Sequence, residues 1–143
     1  MTDPLPPGAP APPVSFHRRT AAVAGRLPDL REALNRWLAA LHLDVERRED
    51  IVLAGYEAMA NAAEHAYPDG AAGPVEVRAE ALPGRLTVTV TDYGTWRPPA
   101  PTNGLRGRGL LLIDTLADQS AQVHRDDGTT VTMTWLTGEA ALD

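Results

Sequence analysis

A narrow stripe of polar side chains runs along a segment that is otherwise small or apolar. Residues 51–66 read IVLAGYEAMANAAEHA, and Glu57, Asn61 and His65 recur in it every four residues. Positions four apart in an α-helix differ by only about 40° around the axis, so these three side chains would share one face. Burying a carboxylate and a carboxamide costs free energy unless a partner binds them. The spacing fits a binding site, and it equally fits the solvated face of an amphipathic helix.

Two further short patterns follow along the chain. Asp92 and Gly94 stand at the end of an alternating segment, where a carboxylate can accept hydrogen bonds and a glycine can adopt positive φ. Gly107-Arg108-Gly109-Leu110 precedes an apolar segment that predicts a helix. Glycines at a helix N-terminus let backbone N–H groups approach a phosphate, and Arg106 and Arg108 would add positive charge. Alone, each pattern is also common in ordinary turns and linkers.

The order and spacing of these patterns resemble those of the ATPase superfamily that includes DNA gyrase, MutL and the histidine kinases. Three motifs carry the resemblance, which covers residues 14–136: Glu57-x-x-x-Asn61-Ala62-x-x-His65-Ala66-Tyr67, Asp92-x-Gly94 and Gly107-Arg108-Gly109-Leu110. Gly128-Thr129-Thr130-Val131 is similar to the strand that closes the nucleotide pocket there. Within the superfamily, the chain most closely resembles the bacterial anti-sigma factor serine/threonine kinases.

The resemblance implies a Mg-ATP site with a role for each matching residue. Glu57 would orient or deprotonate the attacking hydroxyl group or water, and Asn61 would hold the Mg²⁺ that bridges the phosphates. Asp92 would accept a hydrogen bond from the adenine amino group, while Gly94 would let the backbone approach the base. Residues 95–108 would form a lid over ATP. The other residues expected at the nucleotide are His65, Arg106, Gly107, Arg108, Gly109, Leu110 and Thr130.

This resemblance predicts an ATP-binding anti-sigma factor with serine/threonine kinase activity. Such a protein would sequester a sigma factor and phosphorylate a serine or threonine of an anti-sigma factor antagonist of the STAS type. The resemblance also implies a homodimer. One alternative is a nucleotide-gated regulator that binds its partner without transferring phosphate, because the predicted lid is short and rich in proline. Another is a detached ATPase domain of the histidine kinase type.

The elements that must position these residues can be read from periodicity. Apolar residues recur at helical spacing from Leu30 to Leu41, and a second helix is expected from Val45 to Ala66 behind Asp44 as its N-cap. Alternating segments predict strands at 14–19, 75–81, 86–91, 121–125 and 130–135, with a third helix at 109–119. Such alternation favours a mostly antiparallel sheet with one buried face. We therefore expect an α/β (α+β) two-layer sandwich with about three helices on one face, which is the Bergerat-type ATP-binding fold that the resemblance implies.

The composition narrows the classes of function. The 143 residues include no cysteine, and all 13 basic residues are arginine, which excludes thiolate chemistry and a P-loop lysine. A net charge of −6 without a basic stripe argues against direct nucleic acid binding. Neither a signal peptide nor a membrane span is expected, so the predicted compartment is the cytoplasm. We expect one domain at residues 14–136, between a Pro-rich tail at 1–13 and a C-terminal tail at 137–143.

Overall fold

The structure is a computed structural model, and it describes residues 14–67, 73–95 and 108–137. Within these residues the chain forms five strands and three helices. In chain order they are β1 (Val14–Ala21), α1 (Leu27–Ala39), α2 (Val45–His65), β2 (Pro74–Leu82), β3 (Arg85–Asp92), α3 (Arg108–Leu116), β4 (Gln119–Arg125) and β5 (Gly128–Leu136). The predicted tail at 1–13 and most of the predicted lid lie outside the described residues. No helix in the described ranges is long and apolar enough to cross a lipid bilayer.

The described strands form one antiparallel sheet in the order β1-β2-β3-β5-β4. Successive side chains of a strand point to opposite faces, and in β3 the residues from Leu86 to Asp92 alternate between buried and partly exposed. The buried hydrophobic residues of this strand pack with Leu34 of α1, Met59 of α2 and Trp135 of β5 in one core. The predicted two-layer sandwich, with helices on one face of an antiparallel sheet, is therefore confirmed.

The turn between β2 and β3 lies where the sequence predicted it, at Pro83 and Gly84. Gly84 has a φ of 79°, a conformation that a side chain would strain. Its carbonyl oxygen accepts the backbone N–H of Thr137 at 2.9 Å. Although we expected Thr137 in a C-terminal tail, this bond attaches it to the end of the sheet.

Helix α3 is shorter at its C-terminus than the predicted 109–119. It spans Arg108–Leu116, and Gln119 instead pairs with Thr134 in the ladder between β4 and β5. The chain turns from α3 into β4 at Asp118, whose backbone N–H already donates to the Thr134 carbonyl oxygen of β5 at 3.0 Å. The apolar composition favoured a longer helix, but pairing with β5 satisfies the backbone of these residues instead.

The end of β3 and the end of α2 meet at Gly94. The backbone N–H of Thr95 donates to the Ala66 carbonyl oxygen at 2.9 Å, and a Cβ on Gly94 would collide with that same oxygen. Gly94 does not use the positive φ that a glycine permits, because among the described residues positive φ occurs only at Gly84 and Gly128. The absence of a side chain, and not an unusual backbone conformation, is what this position requires.

We therefore expect Gly94→Ala to lower the free energy of unfolding by at least about 1–3 kcal/mol, the usual cost of overpacking. The added methyl group would separate the end of β3 from the end of α2. Gly25→Ala is a matched control, because a Cβ there meets no atom within 4 Å, while the entropy of the unfolded chain changes similarly. Urea unfolding of both variants measures the difference, and equal stability of the two would contradict the close contact.

Candidate functional site

Asp92 is a buried carboxylate at the end of β3, with only 3% of the residue exposed. Its Oδ1 accepts the backbone N–H groups of Gly94 and Thr129, each at 3.2 Å. These bonds come from the second residue after β3 and from β5, so the carboxylate joins two neighbouring strands on the face that the helices cover. Since a buried charge costs free energy unless hydrogen bonds compensate it, both strand ends are arranged around this one acceptor.

Thr129 and Thr130 are adjacent in β5, so their side chains point to opposite faces of the sheet. Thr129 pairs with Asp92, is 3% exposed and lies on the face of the helices. Thr130 pairs with Thr91 on the opposite face, where their Oγ1 atoms lie 3.5 Å apart. Thr130, which the sequence predicts at the nucleotide, is therefore on the other face, whereas Thr129 shares the helix face with Asp92 and donates its backbone N–H to that carboxylate. Only the pairing of β5 with β3 could distinguish the two positions.

Gly128 also belongs to this end of the sheet. The sequence placed it in the strand that closes the pocket without giving it a role of its own. A Cβ on Gly128 would collide with the backbone oxygen of Asp92 and would lie 3.1 Å from the Cα of Tyr93. The glycine therefore lets β5 approach β3 closely enough for the Thr129 N–H to reach the Asp92 carboxylate.

The predicted polar stripe lies on α2. Glu57, Asn61 and His65 are all half-buried, and Ala58 and Ala62 beside them are buried in the core. Among the residues that the structure describes, neither Glu57 nor Asn61 has a hydrogen-bond or ion-pair partner. The Nε2 of His65 lies 3.7 Å from the carboxylate of its neighbour Glu64. Half-buried polar groups of this kind cost free energy unless something pairs with them.

The predicted glycine-rich segment is described only in part. Arg108, Gly109 and Leu110 form the first turn of α3, which begins one residue earlier than expected. Arg106 and Gly107 lie outside the described residues. Helix α3 packs against α2, the helix that carries the polar stripe. Its first-turn N–H groups have no acceptor inside the helix, as in any α-helix, which suits this end to an anion.

A chain of hydrogen bonds fixes the Asp92 end of the sheet to the C-terminus of α2. The hydroxyl group of Tyr67 donates to the Pro74 carbonyl oxygen at 2.6 Å and accepts the Tyr93 N–H at 3.0 Å. Tyr93 in turn donates its hydroxyl to the buried Glu76 at 2.6 Å, and His17 contacts the other oxygen of that carboxylate at 2.6 Å. Burial raises the pKa of Tyr67, and the hydrogen bond to Glu76 raises the pKa of Tyr93.

We expect Glu76 to make the free energy of unfolding of the domain depend on pH in the acidic range. Hydrogen bonds from Tyr93 and then from His17 hold the pKa of Glu76 below its ordinary value. The unfolded chain therefore takes up this proton at a higher pH than the folded chain does. The resulting stabilisation is complete above the ordinary glutamate pKa of about 4.3 and is lost as the pH falls through the lower, folded value.

Chemical unfolding of the wild type and of Glu76→Gln, from neutral pH into acid, measures this effect. The variant cannot titrate at this position, so the difference in unfolding free energy between the two proteins should shrink as the pH falls below about 4.3. A difference that is constant with pH would show that the charge of Glu76 contributes nothing to stability.

Residues 20–135 match the family described as the histidine kinase-like ATPase domain. The serine-protein kinase RsbW of Bacillus velezensis is 36% identical over 107 residues, and that of Bacillus subtilis is 35% identical over 107 residues. Each alignment covers 64% of this chain and 66% of the relative, so the chain spans about two thirds of the length of these proteins.

Two solved structures share the fold. The RsbU and RsbW domains of Rv1364c from Mycobacterium tuberculosis superpose with a TM-score of 0.69 at 29% identity, over 94% of this chain and 35% of that one. The histidine kinase domain of a blue-light-activated kinase from Erythrobacter litoralis gives a TM-score of 0.56 at 26% identity, over 75% of this chain and 60% of that one. Both similarities cover most of the sheet and helices described above.

Proposed function

The chain belongs to the histidine kinase-like ATPase domain family, and from this membership we propose that it binds Mg-ATP and transfers the γ-phosphate to a serine or threonine of a partner protein. One observation carries the proposal. Glu57 and Asn61 are half-buried beside alanines on α2 and have no partner among the described residues. Such groups are costly unless a ligand pairs with them. The similarity to proteins named serine-protein kinase supports phosphate transfer to a protein.

The adenine end of the proposed site is built on Asp92. Two backbone N–H groups hold its Oδ1, so the carboxylate is oriented before the base arrives. Asp92 accepts a hydrogen bond from the adenine amino group, and the burial of its neighbour Thr129 keeps water away from this contact. Gly94 allows the close approach of backbone there. Thr129 takes the place that the sequence suggested for Thr130.

The phosphate end of the proposed site is built on α2 and on the N-terminus of α3. Asn61 would hold Mg²⁺ through its carboxamide oxygen, and His65 lies one turn further along the helix. One amide ligand suits this ion, because Mg²⁺ keeps several waters and takes its other ligands from the phosphates. No group of three His, Asp or Glu side chains in the described ranges offers a closed metal site instead. When bound, Mg²⁺ supplies neutralisation of the phosphate charge.

The proposed roles of the remaining residues follow the chemistry of phosphoryl transfer. Glu57 orients the acceptor hydroxyl group and takes its proton, since positioning and charge stabilisation dominate in this reaction. Gly107, Gly109 and Leu110 would offer backbone N–H groups to the phosphates, and Arg106 and Arg108 would contribute positive charge.

The proposed partners are a sigma factor, which the protein would sequester, and a STAS-type antagonist, which it would phosphorylate in the cytoplasm. The resemblance to anti-sigma factor kinases supports both, and it supports a homodimer. The test is incubation with γ-labelled ATP and STAS-type proteins encoded nearby. Label on a serine or threonine of one of them is expected. ATP binding without transfer would favour the nucleotide-gated regulator, and the absence of ATP binding would refute the proposal.

We expect Asp92→Asn to weaken ATP and ADP by similar factors of about 10–100, the cost of a hydrogen bond to a charged group. Asparagine keeps an oxygen for the Gly94 and Thr129 N–H groups, so the fold should remain. Asp92→Ala leaves both donors unpaired and should also lower stability by about 1–3 kcal/mol for each. Calorimetric titration with both nucleotides checks this, and a loss confined to ATP would contradict a role at the base.

A further inference from the structure

One side chain of the edge strand β4 contacts the proposed adenine end. The Nδ1 atom of His124 lies 3.0 Å from Oγ1 of Thr129, its register partner in β5. Thr129 is in turn the register partner of Asp92 and donates its backbone N–H to that carboxylate. Asp92, Thr129 and His124 thus form a chain of contacts across three neighbouring strands. Neither the sequence motifs nor the family resemblance gives His124 a role.

The contact with His124 controls what the Thr129 hydroxyl group offers to a ligand. A threonine hydroxyl has one proton to donate and two lone pairs to accept with. If the proton is donated to Nδ1 of His124, only lone pairs remain for another group. The Asp92 carboxylate beside it is also purely an acceptor. The two side chains would then present an edge made of acceptors alone.

Such an edge distinguishes between purine bases. The 6-amino group of adenine is a donor and pairs with an acceptor edge. The 6-oxo group of hypoxanthine or guanine is an acceptor, so its lone pairs would face other lone pairs without a proton between them. When the wrong base binds, the buried polar groups of the site are left unpaired. Such a site discriminates against the wrong ligand more strongly than a site in which that ligand only loses an apolar contact.

We propose that His124 is a positioning residue: it accepts the Thr129 hydroxyl proton and thereby makes the site select 6-amino over 6-oxo purine nucleotides. The inference rests on the proposed function, because it requires a purine nucleotide beside Asp92. His124 itself lies on an exposed strand and acts through Thr129 without touching the base.

The experiment compares the dissociation constants of ATP and inosine triphosphate, which carries the 6-oxo base on the same ribose and triphosphate. The wild type should prefer ATP. His124→Ala releases the Thr129 proton, so the ratio Kd(ITP)/Kd(ATP) should fall by about threefold to tenfold, the effect of one hydrogen bond. His124→Asn replaces the imidazole Nδ1 with an amide oxygen, which can still accept the Thr129 hydroxyl proton. This variant should keep the wild-type ratio. Val123→Ala, on the other face of β4 and 48% exposed, is the control and should also keep it.

A second comparison tests whether His124 acts through Thr129. In a Thr129→Val background the hydroxyl group is absent, and His124→Ala should then leave the ratio unchanged. If both nucleotides weaken equally in His124→Ala, or if the ratio stays constant or rises, the positioning role is wrong while the nucleotide site stands. A wild type that binds ATP and ITP equally would also refute the role. A wild type that binds neither nucleotide would refute the proposed function together with it.

Discussion

Asn61→Ala is expected to weaken the binding of Mg-ATP by at least about 100-fold while the fold stays intact. Asn61 is half-buried on α2, and truncating its side chain breaks no hydrogen bond or ion pair with another described residue. Alanine also has a higher helix propensity than asparagine. Loss of a residue that only supports a metal ligand weakens metal binding by about 10–100-fold, so loss of the ligand itself should cost at least about 100-fold.

Calorimetric titration with ATP in the presence and absence of Mg²⁺ measures this effect. The wild type should bind ATP more tightly with the ion, and Asn61→Ala should lose that difference. Glu46→Ala is the control on the same helix, because Glu46 is exposed in the first turn of α2 and lies outside the stripe. Wild-type affinity for Mg-ATP in Asn61→Ala would remove Asn61 from the proposed site.

Glu57→Gln is expected to stop phosphate transfer while ATP still binds. Glutamine has nearly the shape of glutamate but cannot take a proton from the acceptor hydroxyl group. General base catalysis contributes about 10²–10⁴-fold to a rate, and the rate of transfer should fall by a factor in this range. The nucleotide contacts proposed for Asp92 and Asn61 are untouched, so the Kd of ATP should not change.

Single-turnover transfer of labelled phosphate to the STAS-type acceptor gives the rate, and calorimetry gives the affinity. Glu49→Gln makes the same chemical change at an exposed position of α2, about two turns before Glu57, and should transfer phosphate normally. Undiminished labelling by Glu57→Gln would exclude Glu57 as the base. Loss of ATP binding in this variant would place Glu57 in nucleotide binding instead.

Periodicity predicted the fold well, because hydrophobic patterning is a local property of the sequence. The long helix that carries Glu57 and Asn61, and the antiparallel pairing of the alternating strands, followed directly from spacing. The C-terminus of α3 was predicted three residues too late in the sequence. The apolar pattern contains no information about β5, the strand with which Gln119 pairs. Backbone hydrogen bonds with a distant strand decide such boundaries.

The sequence indicates residue types for the candidate site but not how those residues are arranged. The sequence indicated that a Gly-Thr-Thr segment lies near Asp92, but only the register of β5 against β3 shows that Thr129 faces the helices. No sequence pattern indicated a role for His124, because its contact with Thr129 depends on the pairing of β4 with β5 around a short turn. The roles of Glu57 and Asn61 stay predictions, which the two variants above address.

The glycines on either side of the Asp92 backbone have a consequence for how related sequences are interpreted. A methyl group at Gly94 would collide with α2, and one at Gly128 would collide with the β3 backbone. Selection for folding alone would therefore retain both glycines, even in a homologue that does not transfer phosphate. Their presence in a homologue indicates that the domain folds in this way. Whether that homologue is an active kinase has to be judged from the residues that packing does not require, above all Glu57.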